Sequence, residues 1–236
     1  MRRFLTGFAA LCLAAGMWGG ASSARADEPV IVVELFTSQG CSSCPPADAF
    51  LHRLAARDDV VALSLHVDYW DYIGWKDAFA QHAFTLRQHG YAKAGHRRSV
   101  YTPQMIIQGQ DHVVGNHPKD VTELIAAYQK RAHPVRLRAA WQGGQVAISA
   151  EAGADLGPML VQLVRFEPEA VVDIRRGENA GHTYAYANVV RDWEVVGEWD
   201  GSAPLSLKAR AAGDLPAAVI VQRKGFGPIL AAVRVR

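Results

Sequence analysis

The sequence is poor in cysteine, with three in 236 residues. That scarcity excludes the disulfide framework on which small secreted domains depend. There is no second CxxC and no H-x-x-x-H pair, so a structural zinc cage, which needs about four ligands, has no local spacing to build on. Beyond the N-terminus, no apolar run reaches the roughly 20 residues that cross a bilayer as a helix. No internal repeat or low-complexity stretch interrupts the chain.

The N-terminus is the exception. Arg2 and Arg3 precede an apolar run from Phe4 to Trp18, and small residues then end in Ala24-Arg25-Ala26. Basic, apolar and A-x-A segments in that order are the layout of a secretory signal peptide. A membrane anchor is the competing reading, but the run is short and ends in Gly19 and Gly20. Residues 1–26 are therefore expected to be removed, leaving a soluble periplasmic or secreted chain. The segment holds three arginines and no acid, so its loss takes the net charge from +2 to −1. No basic patch then remains to suggest nucleic acid. Cys12 leaves with the segment, and only Cys41 and Cys44 stay.

From Pro29 to Ala132 the pattern alternates. Val30 to Phe36 is an apolar, β-branched run suited to a strand buried on both faces. Ala47 to Arg57 repeats apolar residues at helical spacing. Val60–Val67 reads as a strand and Ala78–Lys93 as a helix. Met105–Gln108 and His112–Gly115 read as two strands around a Gly109-Gln110-Asp111 turn, and Val121–Arg131 as a closing helix. The order β-α-β-α-β-β-α predicts a layered α/β domain over 27–133. After His133-Pro134, short β-branched runs separated by Gly, Pro and Asp predict a β-rich, sandwich-like domain over 134–236. Those runs are 135–140, 145–150, 159–166, 171–174, 183–190, 217–222 and 230–235.

The strongest chemical signal is VVELFTSQGCSSCPPAD, a strand, a polar turn, CxxC and then a helix. Amide groups and the dipole at a helix N-terminus stabilise a thiolate and lower its pKa. Two intervening residues let the second sulfur attack a mixed disulfide on the first. Cys41 is the candidate nucleophile and Cys44 the resolving thiol. A metal site and an inert disulfide compete, but ligands for the first are too few, and so small a loop removes little chain entropy. Pro45 and Pro46 tolerate only the first helical turn, so the helix is expected to start nearer Cys44 than Cys41.

Residues 30–133 resemble the thioredoxin superfamily in this CxxC, in the element order and in Thr102-Pro103 before the third strand. The resemblance implies a cis Pro103 lying against the CxxC, with Thr102 beside it as a recognition residue. It also implies a proton-shuttling acid in the strand before the CxxC. Glu34 matches that acid, with one residue more before the first cysteine; an outward-facing edge position is the alternative. Nearly the whole mature chain resembles a family of secreted bacterial proteins classed as a domain of unknown function. CSSCPPAD, HVDYWDYIGWKD, VYTPQMIIQG and RRGENAGHTYAYANVV carry that likeness.

Two loops supply further candidates. Asp68, Trp70 and Asp71 follow the second strand, at the end where open α/β sheets bind ligands. Asp68 and Asp71 are acid–base groups or salt-bridge partners there, and Tyr69, Trp70 and Trp75 either line a groove for an extended peptide substrate or pack the loop. Arg175–His182 is polar and bounded by glycine. It either presents Glu178, Asn179 and His182 toward the site or is a plain turn.

Taken together, these features predict an exported thiol–disulfide oxidoreductase acting on envelope or secreted proteins, or with a redox partner protein. No cofactor and no metal are expected. A soft-metal (copper) handling protein and a non-catalytic binding protein are the alternatives.

Overall fold

The computed structural model describes residues 30–211 and 213–235, so the expected signal peptide lies outside the described residues. Among those described are eleven strands and three α-helices, and no helix is long and apolar enough to cross a membrane. Strand β1 (Ile31–Thr37) is buried at every position, as its unbroken apolar run requires. Helix α1 (Pro45–Ala55) turns Ala47, Phe50, Leu51 and Leu54 inward, and returns the chain to β2 (Val60–His66), which pairs parallel with β1. Helix α2 (His82–Ala94) begins four residues later than the apolar pattern implied, because Asp77 holds a turn there through the Phe79 amide. Next come β3 (Gln104–Ile107), β4 (Asp111–Val114) and α3 (Pro118–Gln129).

The second half overturns the expected fold class. It does not form a separate sandwich after an α/β thioredoxin-like domain. Strands β7 (Met159–Asp173), β8 (Thr183–Trp199), β10 (Ala217–Arg223) and β11 (Ile229–Arg234) extend the first sheet. The result is one mixed eight-stranded sheet, ordered β11-β10-β7-β8-β2-β1-β3-β4. Only β5 (Val135–Gln142), β6 (Gln145–Ala152) and β9 (Leu205–Arg210) form a second, three-stranded sheet. It covers the β7–β10 region through Val146, Ile148, Val161 and Val219.

The join is a parallel bridge between Ser64 and Val189, fastened by the Asn188 side chain donating to the Ala62 carbonyl. One core beneath α2 then spans both halves, holding Val32, Phe36, Leu65, Phe84, Val164, Val190 and Ile220. Pairing between strands more than a hundred residues apart leaves no trace in local periodicity, which is why the sequence suggested two separate units.

The two expected strands 159–166 and 171–174 are one fifteen-residue strand containing Pro168. Beyond Arg165, β7 has lost its β10 neighbour, and a proline is tolerated where no amide is needed. Its long hairpin with β8 projects past the sheet and carries residues 174–182 to the end of β1, over the cysteine pair.

Candidate functional site

Cys41 and Cys44 are joined by a disulfide at the β1–α1 junction. Cys44 is the N-cap of α1, and Pro45 and Pro46 occupy its first turn. Neither proline has an N–H, and the next two amides, of Ala47 and Asp48, both donate to the Cys44 carbonyl. The Cys41 amide donates to the Ser38 carbonyl at 3.1 Å. No amide in the first turn of α1 is left for a Cys41 thiolate. The contact it does have is with the Ser43 hydroxyl, 3.4 Å from Sγ.

Both sulfurs are covered: Cys41 is 1% and Cys44 0% exposed. Two loops pack against the turn that carries them. The buried Asn179 at the β7–β8 tip donates its amide to the Gln39 carbonyl at 2.9 Å and the Cys41 carbonyl at 3.1 Å. Gly177 sits where a Cβ would stand 3.3 Å from Trp75 and 3.5 Å from Ile73. The same Ile73 methyl would lie 3.0 Å from a Cβ on Gly40. Trp75 in turn donates from Nε1 to Gln39 Oε1 at 2.8 Å. The RRGENAG segment is thus a clamp on the CxxC turn, with Glu178 exposed to solvent and His182 Nδ1 donating to the Asn179 carbonyl at 3.3 Å.

The Thr102–Pro103 bond is cis, as expected. Gly115 shows how closely it lies to the site, because a Cβ there would meet Ala47, Pro103 and Leu35 within 3.2 Å. Trp70 Nε1 donates to Thr102 Oγ1 at 2.7 Å, and the Trp70 ring stacks on the 81%-exposed Tyr72. Trp70 also touches the CxxC turn, its Cβ being 3.2 Å from a Cβ on Gly40. Trp70 and Thr102 therefore link the turn before Cys41 to the cis-proline. Asp68 and Asp71 face elsewhere. Asp68 accepts from Thr85 and pairs with His82 at the start of α2, while Asp71 accepts the Asp77 amide at 3.1 Å.

Glu34 is fully buried on an interior strand, which disposes of the edge alternative. It shares the α2 face with Val32 and Phe36, the face opposite α1. Arg87 grips it with Nε at 2.6 Å and Nη2 at 3.0 Å, and the Tyr91 hydroxyl donates to it at 2.6 Å. Gln222, Gln162 and Trp193 continue that network into β10, β7 and β8. Every oxygen of Glu34 is engaged away from the helix that carries Cys44.

A second buried polar cluster sits on the α1 face, and the sequence reading passed over it. Asp48 is four residues after Cys44 and accepts from Thr37 Oγ1 at 2.8 Å. Burial pushes its pKa up to about 7, against the downward pull of His66 and Thr37. His66 is fully buried with Nδ1 2.7 Å from Asp77 Oδ2. A carboxylate partner assigns the hydrogen to Nδ1, and Nε2 has no hydrogen-bond partner among the described residues. Burial raises Asp77, but His66 and the Gln39 and Phe79 amides outweigh it and hold its pKa below the usual carboxylate range. The sequence does carry a signal for this cluster. Ser64 and His66 stand in phase with the inward-facing Val60 and Ala62, and a polar residue in that phase needs a reason.

Comparison with known proteins places the chain among relatives. A crystal structure of an Agrobacterium tumefaciens protein is 37% identical, with a TM-score of 0.77, covering 89% of this chain and 95% of that one. HBP35 of Porphyromonas gingivalis is 14% identical with a TM-score of 0.58, over 88% of this chain and 74% of that one, a likeness of fold alone. No curated protein matches significantly. The family profile described as "Protein of unknown function (DUF1223)" matches residues 32–222, and the chain belongs to that family.

Proposed function

We propose that this protein exchanges disulfides with exported proteins, or with a redox partner, through Cys41 and Cys44. The observation that carries the reading is the convergence of the pair, the cis Thr102-Pro103 bond and Trp70 at one strand end. A disulfide serving stability alone needs neither a neighbouring cis-proline nor two loops folded over it. That arrangement supports kinship with the thioredoxin superfamily in the site, although the whole sheet is not that fold. In the reaction a partner thiolate attacks Cys41 Sγ, the Cys41–Cys44 bond breaks, and Cys44 leaves with the electron pair; the reverse sequence oxidises the pair. Attack at Cys41 requires the β7–β8 tip to lift, since the sulfur is covered. Export through residues 1–26 would place the pair in an oxidising compartment where such exchange is used.

The amide arrangement bears on direction. With two prolines in the first turn and the next amides already engaged, the thiolate of Cys41 gains little stabilisation from the helix N-terminus. A pair of that kind sits toward the reducing end of the family range. Equilibration in thiol/disulfide buffers measures it. The expected potential lies nearer roughly −270 mV than −120 mV. A pair that stays oxidised well below about −300 mV is structural, and the reading then fails.

A further inference from the structure

We propose that Asp48, tuned by His66 and Asp77, is the proton acceptor and donor for Cys44. The inference rests on the exchange chemistry above and assigns its proton to a residue on the helix rather than to Glu34.

The geometry begins with Cys44. Its backbone is helical, with φ −78° and ψ −35°, so its side chain projects as that of a helical residue does. Positions four apart on a helix are neighbours, with Cβ atoms roughly 5–6 Å apart. Asp48 is that neighbour, and its amide donates to the Cys44 carbonyl at 3.1 Å. Asp48 is 5% exposed and its carboxyl is hydrogen-bonded to Thr37, which leaves acceptor capacity unused. Glu34 already accepts three hydrogen bonds and lies across the sheet.

The titratable groups facing Asp48 from the surrounding elements are His66 on β2, Asp77 on the loop before α2, and Tyr186 on β8. His66 is wedged edge-on between the Phe79 and Tyr186 rings and held by Asp77. Its Nε2 is buried with no hydrogen-bond partner among the described residues, an arrangement that calls for a reason. Asp77 is fixed on its other side by the Gln39 amide at 2.8 Å. Gln39 is two residues before Cys41, so the His66–Asp77 pair and the disulfide share one turn of chain. His66 and Asp77 are positioning residues; Asp48 is the one set to touch the reacting thiol.

The step balances. As Cys44 Sγ bonds to Cys41 Sγ, its thiol proton passes to the Asp48 carboxylate. The partner's sulfur leaves with the electron pair of the bond that breaks. In the opposite direction Cys44 departs from Cys41 and takes the proton from Asp48.

The test is the reduction potential of the full mature chain as a function of pH, for the wild type and for Asp48→Asn. A proton whose affinity differs between disulfide and dithiol bends the plot. The wild type is expected to show that bend near pH 7, and Asp48→Asn to remove it. If Asp48→Asn does not fold, Thr37→Val serves, because losing the hydroxyl raises the Asp48 affinity for its proton and moves the bend to higher pH. A reducible pair whose bend survives Asp48→Asn, or stays in place in Thr37→Val, overturns this inference and leaves the exchange reading standing. A pair that resists reduction altogether overturns both.

Discussion

Glu34 and Asp48 are both buried carboxyl groups within reach of one strand end, and they differ in what answers them. Glu34, on the α2 face, meets an arginine fork and a tyrosine hydroxyl, and the network runs on through three further side chains from the second half of the chain. Asp48, on the α1 face, meets one hydroxyl and feels His66, whose Nε2 has no hydrogen-bond partner among the described residues. A charge that is fully paired can be retained for structure alone. A buried acid left to hold its proton near pH 7 is poised to give it up. The comparison teaches that burial of an acid beside a CxxC does not identify its role; its partners do.

The comparison can be broken most directly at Glu34. Glu34→Ala strands the Arg87 guanidinium in the core, and removing one partner of a buried ion pair costs about 3–5 kcal/mol. Urea unfolding of the oxidised protein should show that loss, whereas the bend in potential near pH 7 should persist. A variant as stable as the wild type would mean that the network is not what ties the halves together.

Asp48 should show the opposite signature. Its proton is held more tightly folded than unfolded, from a usual value of 3.8 to about 7. Its contribution therefore favours the folded state below about pH 4 and is lost as pH rises through 7. Asp77, whose pKa is lowered by folding, contributes with the opposite sign, its stabilisation lost only in acid. Asp48→Asn should flatten the decline between pH 4 and 7 by a few kcal/mol, on the order of 1.4 per pH unit. It should leave the variant the more stable protein at pH 8. Thermal unfolding across that range decides it, and a variant less stable than the wild type at pH 8 would contradict the assignment.

Smaller effects test the clamp. Asn179→Ala removes two buried hydrogen bonds, about 1–3 kcal/mol together. It should speed reduction of the disulfide by a small thiol while moving the potential little, because the lid covers the sulfurs without touching their chemistry. An unchanged rate would mean that the hairpin tip does not limit access. Trp70→Phe deletes the bond to Thr102, about 1 kcal/mol. It should weaken exchange with a protein substrate more than reduction by dithiothreitol, read as separate rates. Equal effects on both would place Trp70 in loop packing.

The local parts of this protein were legible in advance. Strand β1, the helix after the cysteines and the hairpin around Gly109 follow from runs, spacings and turn chemistry that act over a few residues, whereas the cis-proline was legible only through the family resemblance. Asp68 and Asp71 were legible as polar loop residues, but only the fold revealed that one engages the start of α2 and the other braces Asp77. The role of RRGENAG was open between a plain turn and a contact with the site. Its position was settled by the length of β7 and β8, two strands whose continuity across Pro168 depends on where β10 stops.

By itself the sequence determined that a CxxC would sit at a strand-to-helix junction, with two prolines setting the first turn of that helix. Hydrophobic pattern and φ restriction are properties of neighbours along the chain, and they need nothing else. Only the tertiary structure decided that the C-terminal strands would extend the N-terminal sheet and that Glu34 and Asp48 would lie on its opposite faces. Those outcomes depend on which groups meet across more than a hundred residues. A buried charge takes its character from the partners it meets there, not from its place in the sequence.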